Sequence, residues 1–173
     1  MKTDEKIVSA ARKPRYKLRS LPKAVSKEDA DSEFGLENYA PIEYIENDYK
    51  NNADGTVSDQ ATGLMWDQVG SEERLLYEEA IAYINILNSK MFAGYSDWRL
   101  PTVDELMSLL ISGFHGNFNI SSLDSVFGSK LQACWSADKL PPYSIWGICY
   151  AFGGAAWRGF DDVIYVRAVR SCQ

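Results

Sequence analysis

Helical spacing of apolar positions is concentrated in one stretch of the chain. In LLYEEAIAYINILNSK, Tyr77, Ala80, Ile81, Ile84 and Leu87 recur on one face while Glu78, Glu79 and Asn85 fall on the other. That period predicts an amphipathic helix of about three turns. A second helix is predicted after Pro101: Thr102 stands at the capping position with Glu105 three residues on, and Leu106, Leu109 and Leu110 supply a buried face. Ahead of both, Asp54-Gly55 and Ala61-Thr62-Gly63 punctuate short apolar runs, the pattern of strands joined by tight turns. The last 40 residues change character. LQACWSAD, YSIWGICYAF, AAWRGF and VIYVRAVR, separated by Gly or Asp-Asp breaks, read as a strand meander. Lys139 and Ser144 bound the loop between the first two runs, so the hairpin is centred at about position 141.5 and sets Cys134 opposite Cys149. The pair is a disulfide candidate, and two buried free thiols on neighbouring strands fit the same pattern equally well.

Charge divides the chain where hydropathy does not. Residues 1–27 carry nine Lys/Arg against two Asp/Glu, a local charge of +7, and the remainder carries −13, for −6 over 173 residues. Pro14 and Pro22 interrupt any helix in the basic segment and its apolar residues are scattered, so it is not expected to fold alone. From Glu28 to Glu43 every charge is acidic, which makes this stretch a linker or a partner for the arm. The expected organisation is a basic arm and acidic linker over 1–46 and a folded domain over 47–173.

Composition removes several function classes. No run approaches the roughly 18 apolar residues that span a bilayer. No charged start followed by an apolar stretch appears in the first 30 residues, so the chain shows no signal peptide and a cytoplasmic location stays open beside an exported one. There is no GxSxG, HExxH or phosphate-binding glycine loop, and His115 is the single imidazole. NNADGTVSD resembles a calcium loop, but Lys50 and Ala61 would stand where the pattern needs carboxylates. An irregular calcium site on Asp138, Asp161 and Asp162 is left open, and no cofactor is expected. The arm lacks the aromatic interleaving and motifs of nucleic-acid binders and its body would repel phosphate, so nucleic acid is not favoured as a partner. Trp157-Arg158, near Gly153-Gly154 and ahead of Asp161-Asp162, mixes a flat apolar ring, a planar cation and carboxylates on turns. With Tyr143 they form a candidate ligand-binding set: Tyr143, Trp157, Arg158, Asp161 and Asp162.

DGTVSDQATGLMWDQ, YEEAIAYINILN, AGYSDWRLPTVDELMSLL, CWSAD and IYVRAVRS together resemble the Lcl C-terminal domain family, named for the end domain of a collagen-like bacterial adhesin. The resemblance covers roughly residues 47–171 and leaves the arm outside. It implies an α+β, C-type lectin-like fold with two helices on a small twisted antiparallel sheet, more distantly similar to formylglycine-generating sulfatase-modifying proteins. Asp97, Trp98, Arg99, Leu100 and Pro101 fall on its most characteristic motif, and Gly63, Leu64, Trp66 and Arg167 on flanking blocks; these are expected to be fold determinants. What the resemblance implies for function is a non-enzymatic module recognising a glycan or protein at a bacterial surface. A body of charge −13 is poorly matched to a polyanionic glycan, so the adhesin's sulfated-polysaccharide specificity is not carried over. The alternative is a structural subunit whose residues 1–27 dock on an acidic neighbour and build a homo-oligomer.

Overall fold

The computed structural model describes residues 13–112, 123–127 and 132–172. The domain is mixed α and β, with few helices and several small antiparallel sheets. Helix α1 (Ala30–Phe34) is followed by a two-stranded hairpin of β1 (Leu36–Glu37) and β2 (Ala40–Pro41). Then come β3 (Tyr49–Asn51), β4 (Thr56–Asp59) and β5 (Leu64–Asp67), with Gly55 and Gly63 taking the positive φ that their turns need. The Asp59 carboxylate is buried and accepts from the Asp48 and Ala61 amides, the Asn47 side chain and the Thr62 hydroxyl, which locks the β4–β5 turn to the segment before it.

Helix α2 (Tyr77–Ser89) forms where the spacing places it, and the Glu79 carboxylate accepts from the Leu76 amide at its start. Tyr77, Ala80 and Ile84 are buried, whereas Ile81, assigned to the same face, is 44% exposed. Helix α3 (Val103–Met107) has the reciprocal cap that Thr102 and Glu105 predict. It ends sooner than the leucine pattern suggests, yet Leu106, Leu109 and Leu110 are all buried.

The C-terminal region holds β6 (Ala133–Leu140), β7 (Ser144–Cys149), β8 (Gly154–Gly159) and β9 (Val169–Ser171). Only β6, β7 and β8 form a meander; β9 leaves it and pairs with β5, completing the order β3-β4-β5-β9. VIYVRAVR is therefore not the meander's fourth strand. Residues 163–168 run between the two sheets, held by single bridges from Ile164 to Leu75 and from Tyr165 to Cys134. Their alternation is satisfied by burial, with Ile164, Val166 and Ala168 directed into one apolar cluster and Tyr165 packed on the other.

The same hairpin corrects the cysteine pairing. Near the tip Leu140 faces Ser144, but a bulge between Trp135 and Lys139 shifts the register, so that Cys134 faces Ile148 and Cys149 faces Ala133. A one-residue offset turns the two thiols to opposite faces of the sheet. Both are buried and free, and Cys172 is free and exposed.

Both faces of the three-stranded sheet are covered, which is unusual for an antiparallel sheet. On one face Cys134, Trp146 and Ile148 join Val25, Phe34, Leu36, Trp66 and Leu106; on the other Trp135 and Ile145 join Tyr77, Ile84, Trp98 and Val166. The first cluster is completed by residues 25–36, the stretch that charge alone marks as arm and linker.

Candidate functional site

The end of the sheet that carries the β6–β7 tip also carries the end of β8, because Ser144 pairs with Gly159. This register gathers four of the five residues singled out from sequence. Tyr143 stands at the tip, 75% exposed, and Arg158 lies across from Ile145. Asp161 and Asp162 follow in the next turn, where the Asp162 carboxylate accepts from the Gly159 amide at 2.8 Å and is thereby held in place. Arg158 donates to the Trp157 carbonyl at 2.8 Å.

Trp157 is not part of that set. It pairs with Trp146, one residue away from Arg158 along β8, so the two side chains leave opposite faces of the sheet. Its ring packs between Tyr39 and Trp146, with centroids at 5.6 and 5.8 Å, and the ammonium of Lys27 sits 4.0 Å from its centroid. A cation and two rings thus occupy the surroundings that a stacked sugar would need. The surface at the sheet end is completed instead by Phe160 and Val163, both about half exposed, with Phe160 resting on Tyr77 at 6.2 Å. Sequence reading assigned Phe160 to the strand; the Gly159 break directly before it is the signal that places it on a loop.

The groups with other chemical potential are engaged or shielded. Asp138 is fully buried and accepts from Arg19 twice at 2.8 Å, from the Lys23 amide at 2.8 Å and from the Val103 amide at 2.7 Å, so it is a hub for the arm and is apart from Asp161 and Asp162 in role. Burial pushes the Cys134 thiol up to about 12 and raises that of Cys172 as well, the reverse of what an activated nucleophile requires. Among the described residues no group of three or more His, Cys, Asp and Glu side chains is arranged to hold a metal ion, and no helix is long and apolar enough to cross a membrane. His115 lies outside the described residues.

The Lcl C-terminal domain model matches residues 55–170, about two thirds of the chain. The chain belongs to this family. Neither the curated proteins nor the solved structures return a match. Within the Lcl C-terminal domain the motif residues are seen to build the fold. Trp98 is buried, its indole donates to the Phe92 carbonyl at 3.0 Å, and the Asn88 side chain of α2 donates to the Trp98 carbonyl through Nδ2 and accepts from the Trp98 amide through Oδ1. Arg99 makes a two-pronged pair with the buried Glu105 at 2.6 and 2.7 Å while its backbone bridges to Val169. Asp97 takes Arg170, whose guanidinium also lies 3.7 Å from the Tyr95 centroid. Arg167 is wholly buried, donates to the Asp67 and Gln68 carbonyls and carries Phe127 on its face. The Trp98 and Arg99–Glu105 bonds are local, whereas the Arg99 bridge to Val169, the Asp97–Arg170 pair and the Arg167 bonds tie a late segment to an early one, which is why a motif dispersed in sequence is compact in space.

Proposed function

We propose that this Lcl C-terminal domain is a non-enzymatic recognition module of C-type lectin-like design that binds a glycan at a bacterial surface through the end of its three-stranded sheet. The observation that carries this reading is the presence of Tyr143 and Phe160, two exposed rings, at the same sheet end as Arg158 on β8 and Asp161 in the turn that follows it. Rings supply flat apolar contact and the charged groups supply directional hydrogen bonds to hydroxyls, while the sheet holds them without a large ordering cost on binding. The excess of carboxylates on the domain favours neutral over sulfated sugars.

The test is a panel of neutral, sialylated and sulfated oligosaccharides probed with the intact chain and with Tyr143→Ala. Retention of a neutral glycan, weakened about tenfold by Tyr143→Ala, is the expected result, since tyrosine is enriched among the few contact residues whose truncation costs more than about 1 kcal/mol. Absence of any retained glycan, or equal binding by the variant, rejects the assignment. Arg15, Arg19 and Lys23 pair with Glu46, Asp104, Asp138 and Glu33 of their own chain, which favours recognition over assembly through these three cations of the basic arm.

A further inference from the structure

A groove of about 570 Å³ lies where residues 15–18 and 41–45 run beside α3. Eleven of its fourteen lining residues precede Gly55, so it is created by the N-terminal wrap and is not a property of the family span. Leu18, Phe34 and Met107 give it an apolar lining, and Ile42, 64% exposed, stands at its rim.

One wall, residues 16–18, lies outside any helix or sheet, and the other leaves β2 at Pro41 and bends at Ile42 and Glu43 before running on through Tyr44 and Ile45. Among the described residues the backbone N–H and C=O groups of Lys17, Leu18, Glu43, Tyr44 and Ile45 have no hydrogen-bond partner. Arg15 reaches across from one wall to the other, donating to the Glu46 carbonyl at 2.7 Å, and so fixes their relation at that point. Lys17 and Glu43, on opposite walls, carry no ion pair among the described residues. Unpaired main chain beside an apolar floor is what an added strand can use: main-chain bonds supply affinity and a pocket for alternate side chains supplies specificity. A small apolar molecule would fill the floor and leave these polar groups unused.

We propose that this groove binds an extended peptide of another protein, added as a strand to one wall, with a bulky apolar side chain seated over Leu18, Phe34 and Met107. The opposed charges of Lys17 and Glu43 select an anchor flanked by an acidic residue on one side and a basic residue on the other.

The experiment is selection from a displayed library of linear peptides of about nine residues on the full chain, followed by amide hydrogen exchange with the selected peptide bound. Enriched sequences should carry the acidic–apolar–basic pattern, and exchange should slow about tenfold or more at Lys17 and Leu18 or at Tyr44 and Ile45. Lys17→Glu and Ile42→Asp change exposed positions and keep the fold; each should weaken binding about tenfold, and reselection on Lys17→Glu should exchange the acidic flank for a basic one. The proposal is overturned if no peptide is enriched, if binding is indifferent to both variants, or if neither wall gains protection. It stands or falls separately from the sheet-end glycan site, which these variants do not touch.

Discussion

The two faces of the β6–β7–β8 sheet are packed by different means. Around Trp135 the cluster is filled wholly from within residues 55–170: α2 supplies Tyr77, Ala80 and Ile84, the motif supplies Trp98, and the run before β9 supplies Ile164, Val166 and Ala168. Around Trp146 it is shared, because Val25, Ala30, Phe34 and Leu36 come from outside that span and the Trp146 indole donates to the Val25 carbonyl at 2.9 Å. A family domain therefore brings one complete apolar layer and one that this chain completes with its own N-terminal segment. The charge of that segment conceals this. Its cations align it, but its attachment consists of buried side chains, strand-like bonds from Val25 and Lys23 to Lys139, and a buried carboxylate.

The strongest way to break the comparison is Asp138→Ala. Asp138 joins the wrap, β6 and the start of α3 in one buried site, and removing it takes away one of the two carboxylates that hold the Arg19 guanidinium, leaving Asp104, and strips the Lys23 and Val103 amides of their acceptor. Leaving a buried donor without its acceptor costs about 1–3 kcal/mol for each of the two amides. If the wrap is part of the core, urea denaturation shifts as one transition by that amount. A wrap that is only tethered would instead detach early and leave the main transition unmoved.

A second test uses alkali to probe the Trp146 layer through its buried thiol, Cys134. Burial pushes the Cys134 thiol from 9.0 up to about 12 and also raises the phenols of Tyr49 and Tyr150, all on the Trp146 side; on the Trp135 side burial raises the phenols of Tyr77 and Tyr83 in the same way. A group whose folded-state value is raised contributes its stability in full below the unfolded value and loses it as pH rises toward the folded one. Between pH 9 and 12 the unfolded chain gives up the Cys134 proton while the folded chain keeps it, so stability falls by about 1.4 kcal/mol per pH unit for this one group. Denaturation midpoints measured across that window should fall less steeply in Cys134→Ala than in the parent, with the two slopes converging below pH 9.

How much of this is legible in sequence depends on the range of the contact. The Thr102–Glu105 cap, the turns at Gly55 and Gly63 and the face of α2 are local, and residue spacing specifies them. Three features are not local. The partner of β9 is β5, about a hundred residues earlier, because the six residues before it are used as filling between sheets. The bulge in β6 rotates Cys134 away from Cys149, and no periodicity announces it. The docking of the arm rests on Asp138, an acidic residue within a strand pattern that reads as surface. At the candidate site, spacing brought Tyr143, Arg158, Asp161 and Asp162 to one end, while strand alternation separated Trp157 from Arg158, two neighbours in sequence that composition had treated as one surface.

The smallest expected effect sharpens the comparison most. Lys27 lies over Trp157 from a position on the surface, and a cation on an aromatic face at an exposed site contributes about 0.5–1 kcal/mol. Lys27→Ala should lower stability by that amount and Lys27→Arg should leave it near the parent. Salt provides the control. Arg15–Glu46 and Lys23–Glu33 are exposed pairs that ionic strength screens, whereas the Val25, Phe34 and Leu36 contacts are apolar and strengthen slightly with salt. Protease resistance of residues 13–40 in 1 M salt, unchanged from low salt, is the result expected of a wrap held by its buried face. Cleavage there at high salt alone would show that the +7 charge, and not the shared core, holds it to the domain.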